Sequence, residues 1–486
     1  MKQNSIASGI SWKLIERFSV QIVRFVLQIV LARILDPEHY GSLALLLVFT
    51  TLANVFIQKG FSSSLIQDKD VSEEDYSSVF WVTLGIAGIA YVVVWLLAPL
   101  VDVIYGQPEL IRPLRILALL LFPGALNSVY QSKLSREMNF RKVFFTNVGG
   151  VLVAGAISIV LAYMGWGLWA LVIQSVLSTA ITCMLLCLVS NWKIRRVCNW
   201  KRVTKLFSFG WKLLVSELLD TLYQDLYSLV IGIKFDNEIL GFFNRGKQFP
   251  QFVVTSANST VQSVMLPAMS RQQDDLVELK QMMRNTVSLT SYILFPVMVG
   301  LAGVAEPLIE VVLTEKWLPC VPYMQIYCFA LAVLPVHAAC AQGINAVGRS
   351  DLFLKMSVIK TVCSLLALVM AVALFESPIA IAQVAIFTTV INCIVNAVPC
   401  REMIGYYYRE QMMDILPALL LSAVMLLVVR LVGLLQIPAI QLILLQVGIG
   451  TGVYILLSAV LGLKAFRQLW QYVKNVVRVL LSRFKK

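Results

Sequence analysis

The sequence predicts an all-α integral membrane protein of about fourteen transmembrane helices, arranged as two six-helix bundles related by an internal repeat, with two further helices at the C-terminal end. Three observations lead there. Hydrophobic residues fill 59% of 486 positions and charged residues only 14%, with a mean hydropathy of +0.80, far from the balance of a water-soluble chain. Apolar runs near the ~20 residues needed to cross a hydrocarbon core recur from end to end. A short motif also returns about two hundred residues later, at matching places in two series of helices.

The expected spans are 10–34, 41–60, 77–101, 112–133, 143–163, 168–190 and 206–233, then 239–268, 281–304, 321–346, 353–375, 378–399, 413–433 and 439–463. The first cannot be a cleaved signal peptide, because Arg17 and Arg24 interrupt its apolar stretch and no small-residue cleavage site follows. Orientation follows from the cations, which gather in cytoplasmic loops. Lys133, Arg136, Arg141 and Lys142 follow the fourth span; Lys193, Arg195, Arg196, Lys201, Arg202 and Lys205 follow the sixth; Arg483, Lys485 and Lys486 end the tail. The connections 36–40, 102–109, 164–167 and 376–378 are short and cation-poor, so they face outward and both termini lie in the cytoplasm. The acidic loop 67–76 is compatible, since Asp and Glu contribute little to orientation. Topology therefore accounts for the formal charge of +13 without nucleic acid as a partner. From Lys464 onward, apolar residues alternate with Arg467, Lys474 and Arg478 as in an amphipathic helix lying on an anionic leaflet.

The repeat is carried by Asp36-Pro37-Glu38-His39-Tyr40-Gly41 and Asp236-Asn237-Glu238-Ile239-Leu240-Gly241, both D-x-E-x-x-G, preceded by Trp12-Lys13 and Trp211-Lys212. Both copies start on the cytoplasmic side, which makes them parallel repeats about an axis along the membrane normal. The expected divisions are 1–205, a six-helix bundle with its linker; 206–400, a second six-helix bundle; 401–463, two added helices; and 464–486, the basic tail.

Two-bundle folds of this kind hold their substrate between the repeats, so polar residues inside the helices mark the candidate site. Lys13, Arg17, Gln21, Arg24 and Gln28 fall within an arc of about 80° on the first span, opposite Ile15, Phe18, Ile22, Phe25 and Ile29. Each cation near the bilayer centre costs on the order of 3 kcal/mol, so this stripe should face a wet cavity. The seventh span shows Lys212, Ser216, Glu217, Asp220 and Gln224 along one face; the eighth adds Asn244, Arg245, Lys247, Gln248 and Gln251, and the second adds Lys59. Such a cation excess favours an anion, and Arg17, Arg24 and Arg245 offer paired donors matching phosphate oxygens, with Lys13, Lys59, Lys212 and Lys247 as point charges. The alternative is that Arg17 and Arg24 neutralise Glu217 and Asp220. Those two carboxylates could instead bind a coupling proton or Na+.

No metal site is expected, because His39 and His337 stand apart from any ligand cluster, and the nine cysteines (183, 187, 198, 320, 328, 340, 363, 393, 400) read as packing residues. Gly448, Gly450 and Gly452 suit close helix packing rather than phosphate binding. No nucleophile elbow, Walker loop or metal-protease motif is present, so neither catalysis nor a cofactor is expected.

Leu35-Asp36-Pro37-Glu38-His39-Tyr40-Gly41, Val71-Ser72-Glu73-Glu74-Asp75-Tyr76, Gly165-Trp166-Gly167-Leu168-Trp169-Ala170-Leu171-Val172, Arg136-Glu137-Met138-Asn139-Phe140-Arg141 and Leu240-Gly241-Phe242-Phe243-Asn244-Arg245 together carry a resemblance. The chain resembles the polysaccharide transporters of the multidrug/oligosaccharidyl-lipid/polysaccharide (MOP) superfamily, in particular the Wzx-type exporters for lipopolysaccharide, exopolysaccharide and teichuronic acid units. The resemblance implies a bacterial cytoplasmic (inner) membrane flippase that moves undecaprenyl-diphosphate-linked oligosaccharide by alternating access. It also implies an ion gradient as the drive, membrane lipids around the chain and other polysaccharide-assembly proteins as partners. Two alternatives stand beside it. A cation-coupled drug exporter of the same superfamily should have an acidic cavity with few arginines, and an integral-membrane glycan polymerase or ligase should have a large outer loop.

Overall fold

The computed structural model describes residues 2–67, 70–190, 192, 194–271, 275–334, 339–340, 350–471 and 474. Among them the regular elements are all helical. Among the described residues, nine helices are long and apolar enough to cross a membrane, and between 17% and 50% of the most apolar window of each is buried inside the protein. The remaining apolar surface must face lipid, because so large an area would not stay exposed to water. The chain is a multi-pass membrane protein. Contacts divide it into two compact units, Met1–Asn244 and Arg245–Lys486.

The first unit contains α1 (Lys2–Ile34), α2 (Pro37–Gln67), α3 (Glu73–Tyr105), α4 (Ile111–Leu117), α5 (Leu121–Arg136), α6 (Phe140–Tyr163), α7 (Leu168–Val189) and α8 (Trp200–Lys234), and it ends within α9 (Asn237–Arg271). α2 begins at Pro37, so the expected outer loop 36–40 is mostly the first helical turn; proline lacks only a donor that this turn would leave unused. α3 begins with a capping box: the Ser72 hydroxyl accepts from Asp75 N at 3.2 Å, and Asp75 Oδ2 accepts from Ser72 N at 2.9 Å. It ends at Gly106 in the left-handed region, φ 65°. The expected span 112–133 is two helices, α4 and α5, joined by a 3-10 turn at Ala118–Leu120. Pro123 is the physical reason: its ring removes a donor and crowds the carbonyl four residues back, at Leu119.

Packing in this unit runs α1 on α6, α6 on α7, α2 on α8, and α5 on both α2 and α3. Leu27 fits over Gly155, where an added Cβ would lie 2.4 Å from its Cδ1. A core of Phe61, Leu65, Tyr76, Phe80, Tyr130, Leu134 and Trp192 lies at the linker between α7 and α8. The linker is tied down by the Arg195 and Asn199 amides, which donate to the Ser77 and Ser78 hydroxyls at 3.1 and 2.9 Å. Arg202 Nε and Nη2 both donate to buried Asp75, at 3.1 and 2.9 Å.

The two D-x-E-x-x-G motifs meet in this unit, glycine against glycine. A Cβ on Gly41 would lie 1.7 Å from the Asn237 carbonyl oxygen, and one on Gly241 would lie 2.1 Å from the Pro37 carbonyl oxygen. Each copy thus abuts the equivalent backbone of the other, the reciprocity of a local two-fold axis. Asn237 Nδ2 fastens the seam by donating to Ser42 Oγ at 2.9 Å.

The second unit contains α10 (Leu276–Gly303), α11 (Ala305–Leu313), α12 (Val321–Ala332), α13 (Ser350–Leu374), α14 (Pro378–Ile404), α15 (Tyr408–Val432) and α16 (Ala439–Val460). α10 packs on α12 and α15, α14 on α12 and α13, and α16 on α11 and α15. Tyr292, Val299, Leu421, Met425, Val429 and Tyr454 form a core, and the Tyr454 hydroxyl donates to the Tyr292 carbonyl at 2.8 Å. Gly450 gives close packing as expected, since its Cβ would lie 2.8 Å from Val429 Cγ2; Gly448 and Gly452 do not, having nothing within 4 Å. Cys198 also departs from the packing role, being exposed in the linker, whereas Cys183, Cys320, Cys328, Cys340, Cys393 and Cys400 are buried. The expected amphipathic tail lies outside the described residues beyond 474.

Candidate functional site

α1 divides into three sectors. Val20, Leu27 and Leu31 are buried toward α6, whereas Ile15, Ile22 and Val26 form an exposed apolar face suited to lipid. Between them runs the polar stripe, on which Arg17 and Arg24 are exposed and Gln21 and Gln28 partly so. No ion pair joins Arg17 or Arg24 to Glu217 among the described residues. The side chains of Lys13, Lys59, Lys212 and Asp220 lie outside the described residues, as does His337.

Glu217 lines a different surface. α2 and α8 enclose an open cavity of about 370 Å³, bordered by Thr51, Asn54, Val55 and Gln58 from one helix and Glu217, Thr221, Gln224 and Asp225 from the other. The spacing of these residues places each set on one face of its helix. Thr51 Oγ1 lies 2.8 Å from Asp225 Oδ2 and 2.8 Å from the Leu47 carbonyl, and its single proton serves one of them at a time. Asn54 Oδ1 is buried without a hydrogen-bond donor among the described residues. The described lining contains two carboxylates, amides and hydroxyls and no cation, so this part of the cavity is acceptor-rich. Sequence reasoning named Glu217 and Gln224 but missed Thr51, Asn54, Gln58 and Asp225. The available signal was the spacing of Thr51, Asn54 and Gln58 at three and four residues in an otherwise apolar run.

Arg245 and Lys247 belong to the second unit and pack against its own aromatic residues. Arg245 is only 4% exposed; its guanidinium lies 5.2 Å from the Trp317 ring and donates through Nη1 to Gln248 Oε1. Lys247 Nζ lies 5.6 Å from the Tyr327 ring. Gly246 brings this stretch of α9 against α12, where a Cβ would meet the Cys320 oxygen at 2.6 Å. The described residues contain no cluster of three or more metal-ligating side chains.

The family model for polysaccharide biosynthesis proteins matches residues 30–322. Among curated proteins, the chain is 24% identical to the lipopolysaccharide biosynthesis protein WzxC of Escherichia coli (strain K12) over 415 residues, which is 84% of this chain and 83% of that protein. It is 25% identical to the succinoglycan biosynthesis transport protein ExoT of Rhizobium meliloti (strain 1021) over 402 residues, 83% and 79% of the two chains. It is 24% identical to the teichuronic acid biosynthesis protein TuaB of Bacillus subtilis (strain 168) over 350 residues, 71% and 72% of the two chains. Among solved structures, the inward closed conformation of the lipid II flippase MurJ aligns with a TM-score of 0.75 at 16% identity, covering 94% of this chain and 98% of that one. An inward-facing multidrug resistance transporter of the MATE family aligns with a TM-score of 0.59 at 14% identity, covering 86% and 99%. The fold is that of the MOP superfamily, and with the family match spanning more than half of its length the chain belongs to the polysaccharide biosynthesis protein family.

Proposed function

We propose that this protein is a flippase that carries undecaprenyl-diphosphate-linked oligosaccharide from the inner to the outer face of the bacterial cytoplasmic membrane by alternating access, with both termini in the cytoplasm. The observation that carries the reading is the stripe of α1. Arg17 and Arg24 sit exposed on α1, within the first expected span, in a chain whose relatives are named for lipopolysaccharide, succinoglycan and teichuronic acid biosynthesis. Exposed guanidinium groups at that depth are costly unless they meet water or an anion, and their paired donors fit a diphosphate. Lys13, Lys59 and Lys212 would add positive potential. Arg245 and Lys247 would reach the diphosphate only after leaving Trp317 and Tyr327, so they belong to a later stage of the cycle. The prenyl chain stays in lipid while the polar head crosses, and no covalent bond changes.

A second reading, a cation-coupled exporter of the same superfamily, is favoured by the carboxylates Glu217 and Asp225, which suit a coupling proton or Na+ rather than the drug itself. Translocation of a labelled lipid-linked oligosaccharide in proteoliposomes separates the two. Movement that depends on protein and is lost in Arg24→Ala supports the flippase; movement of a drug cation and not of the lipid supports the exporter.

A further inference from the structure

The cavity between α2 and α8 has the wrong charge for the part of the substrate that the arginines suit. Glu217 and Asp225 would repel a diphosphate, and none of the described lining residues is cationic. It is also a poor pocket for a drug cation, since among its described lining residues Val55 alone is apolar and none is aromatic. At about 370 Å³ it is far larger than a dehydrated ion needs, with room for roughly a dozen waters at ~30 Å³ each. What the lining does match is a dense array of hydroxyls. Carboxylates accept, amides both accept and donate, and Asn54 contributes a buried Oδ1 still lacking a donor.

The repeat gives independent support. In the register that aligns Asp36 with Asp236, the α1 positions Arg17, Gln21 and Arg24 correspond to Glu217, Thr221 and Gln224 on α8. The same face of the repeated helix is therefore polar in both copies, basic in one and acidic and amide-bearing in the other.

We propose that this cavity is a carbohydrate subsite, taking a sugar ring of the lipid-linked substrate through Asn54, Gln58, Glu217, Gln224 and Asp225. The proposal rests on the flippase reading and assigns the glycan, as distinct from the diphosphate, to its own residues. Gln58 and Gln224 are exposed enough to be replaced without emptying the core.

The test is binding to the purified full-length protein, followed by tryptophan fluorescence, of undecaprenyl diphosphate bare and carrying a single glucose, galactose or N-acetylglucosamine. The expected result is that at least one glycosylated form binds about tenfold more tightly than the bare lipid, and that Gln58→Ala/Gln224→Ala brings the ratio close to one. Equal affinity of wild type for all four lipids overturns the subsite and leaves the flippase reading in place, as does a ratio unaltered in the double variant. Failure of wild type to bind any of the four overturns the flippase reading itself. A Glu217→Gln variant that loses Na+ or pH dependence while keeping its glycan ratio would make the cavity a cation site and overturn the carbohydrate assignment.

Discussion

Replacing Gly41 by alanine tests the seam at which the two motif copies meet. The new Cβ would sit 1.7 Å from the Asn237 carbonyl oxygen, whereas real Cβ contacts essentially never fall under 3.0 Å, so the backbones must separate by at least about 1.3 Å. The obstacle is a main-chain carbonyl inside a helix, which has no rotamer to escape into. Separation would also strain the Asn237 bond to Ser42 Oγ. Overpacking of this kind costs about 1–3 kcal/mol, and the upper end applies where backbone meets backbone. Gly241→Ala should cost a similar amount, since its Cβ would meet the Pro37 oxygen at 2.1 Å. Because both substitutions open the same gap, the double variant should be destabilised by clearly less than the sum of the two single effects. Thermal unfolding of the purified protein in detergent, followed by loss of the monodisperse elution peak, measures all three. Gly448→Ala, where nothing lies within 4 Å, is the control and should melt with wild type or slightly above it. A Gly41→Ala protein as stable as the control, or strictly additive effects at the two glycines, would refute the reciprocal contact.

Arg17→Ala and Arg24→Ala should keep wild-type abundance and melting, because both side chains are exposed, while losing translocation in proteoliposomes. Arg245→Ala should do the reverse at the level of folding: it removes a buried group stacked on Trp317 and leaves Gln248 without its donor, costing about 2 kcal/mol, visible as lower membrane abundance and an earlier melt. Asp75→Asn should destabilise by about 2–3 kcal/mol, less than for a wholly buried pair because Arg202 reaches solvent, and the melt should report it. Arg284→Lys keeps the charge but loses the fork in which Nε and Nη2 donate to Asp414 at 2.9 and 2.8 Å, so a loss of about 1 kcal/mol is expected from the same assay.

The fold class was legible because it is set by composition and period, which need no knowledge of which helix touches which. Helix ends were less legible: the expected span 77–101 stops four residues short of each end of α3, although Ser72 and Asp75, which form the capping box, and Gly106 carry the local chemistry that sets those ends. The 3-10 turn inside the span 112–133 was not foreseen because the apolar run continues across Pro123, and hydropathy does not register the lost backbone donor. The site was legible only in part for a related reason. Glu217 stands out in an apolar helix, but Asn54 and Gln58 gain meaning only from lying opposite it, and a long-range pairing of α2 with α8 leaves no mark in either local sequence. Arg245 shows the converse: its place in a family-like motif suggested a ligand contact, while its burial on Trp317 depends on the 3-10 turn Glu315–Cys320 before α12, some seventy residues away in sequence.

Duplication also bears on how the charges came to be divided. A repeated polar face that stayed identical would present either cations in both copies or carboxylates in both. The first would suit a diphosphate but offer few acceptors to a sugar, and the second would repel the diphosphate altogether. A lipid-linked glycan joins both chemistries within one head group, a dense negative charge beside neutral hydroxyls. Under the proposed division, Arg17 and Arg24 on α1 would meet the first requirement, and Glu217 and Gln224, at the corresponding positions of α8, would meet the second. It follows that exchanging the two faces, Arg17→Glu with Glu217→Arg, should not restore transport even though net charge and repeat register are both conserved. Restored translocation in that double variant would mean that the two carry only balancing charge, and the separation into a phosphate face and a glycan face would have to be abandoned.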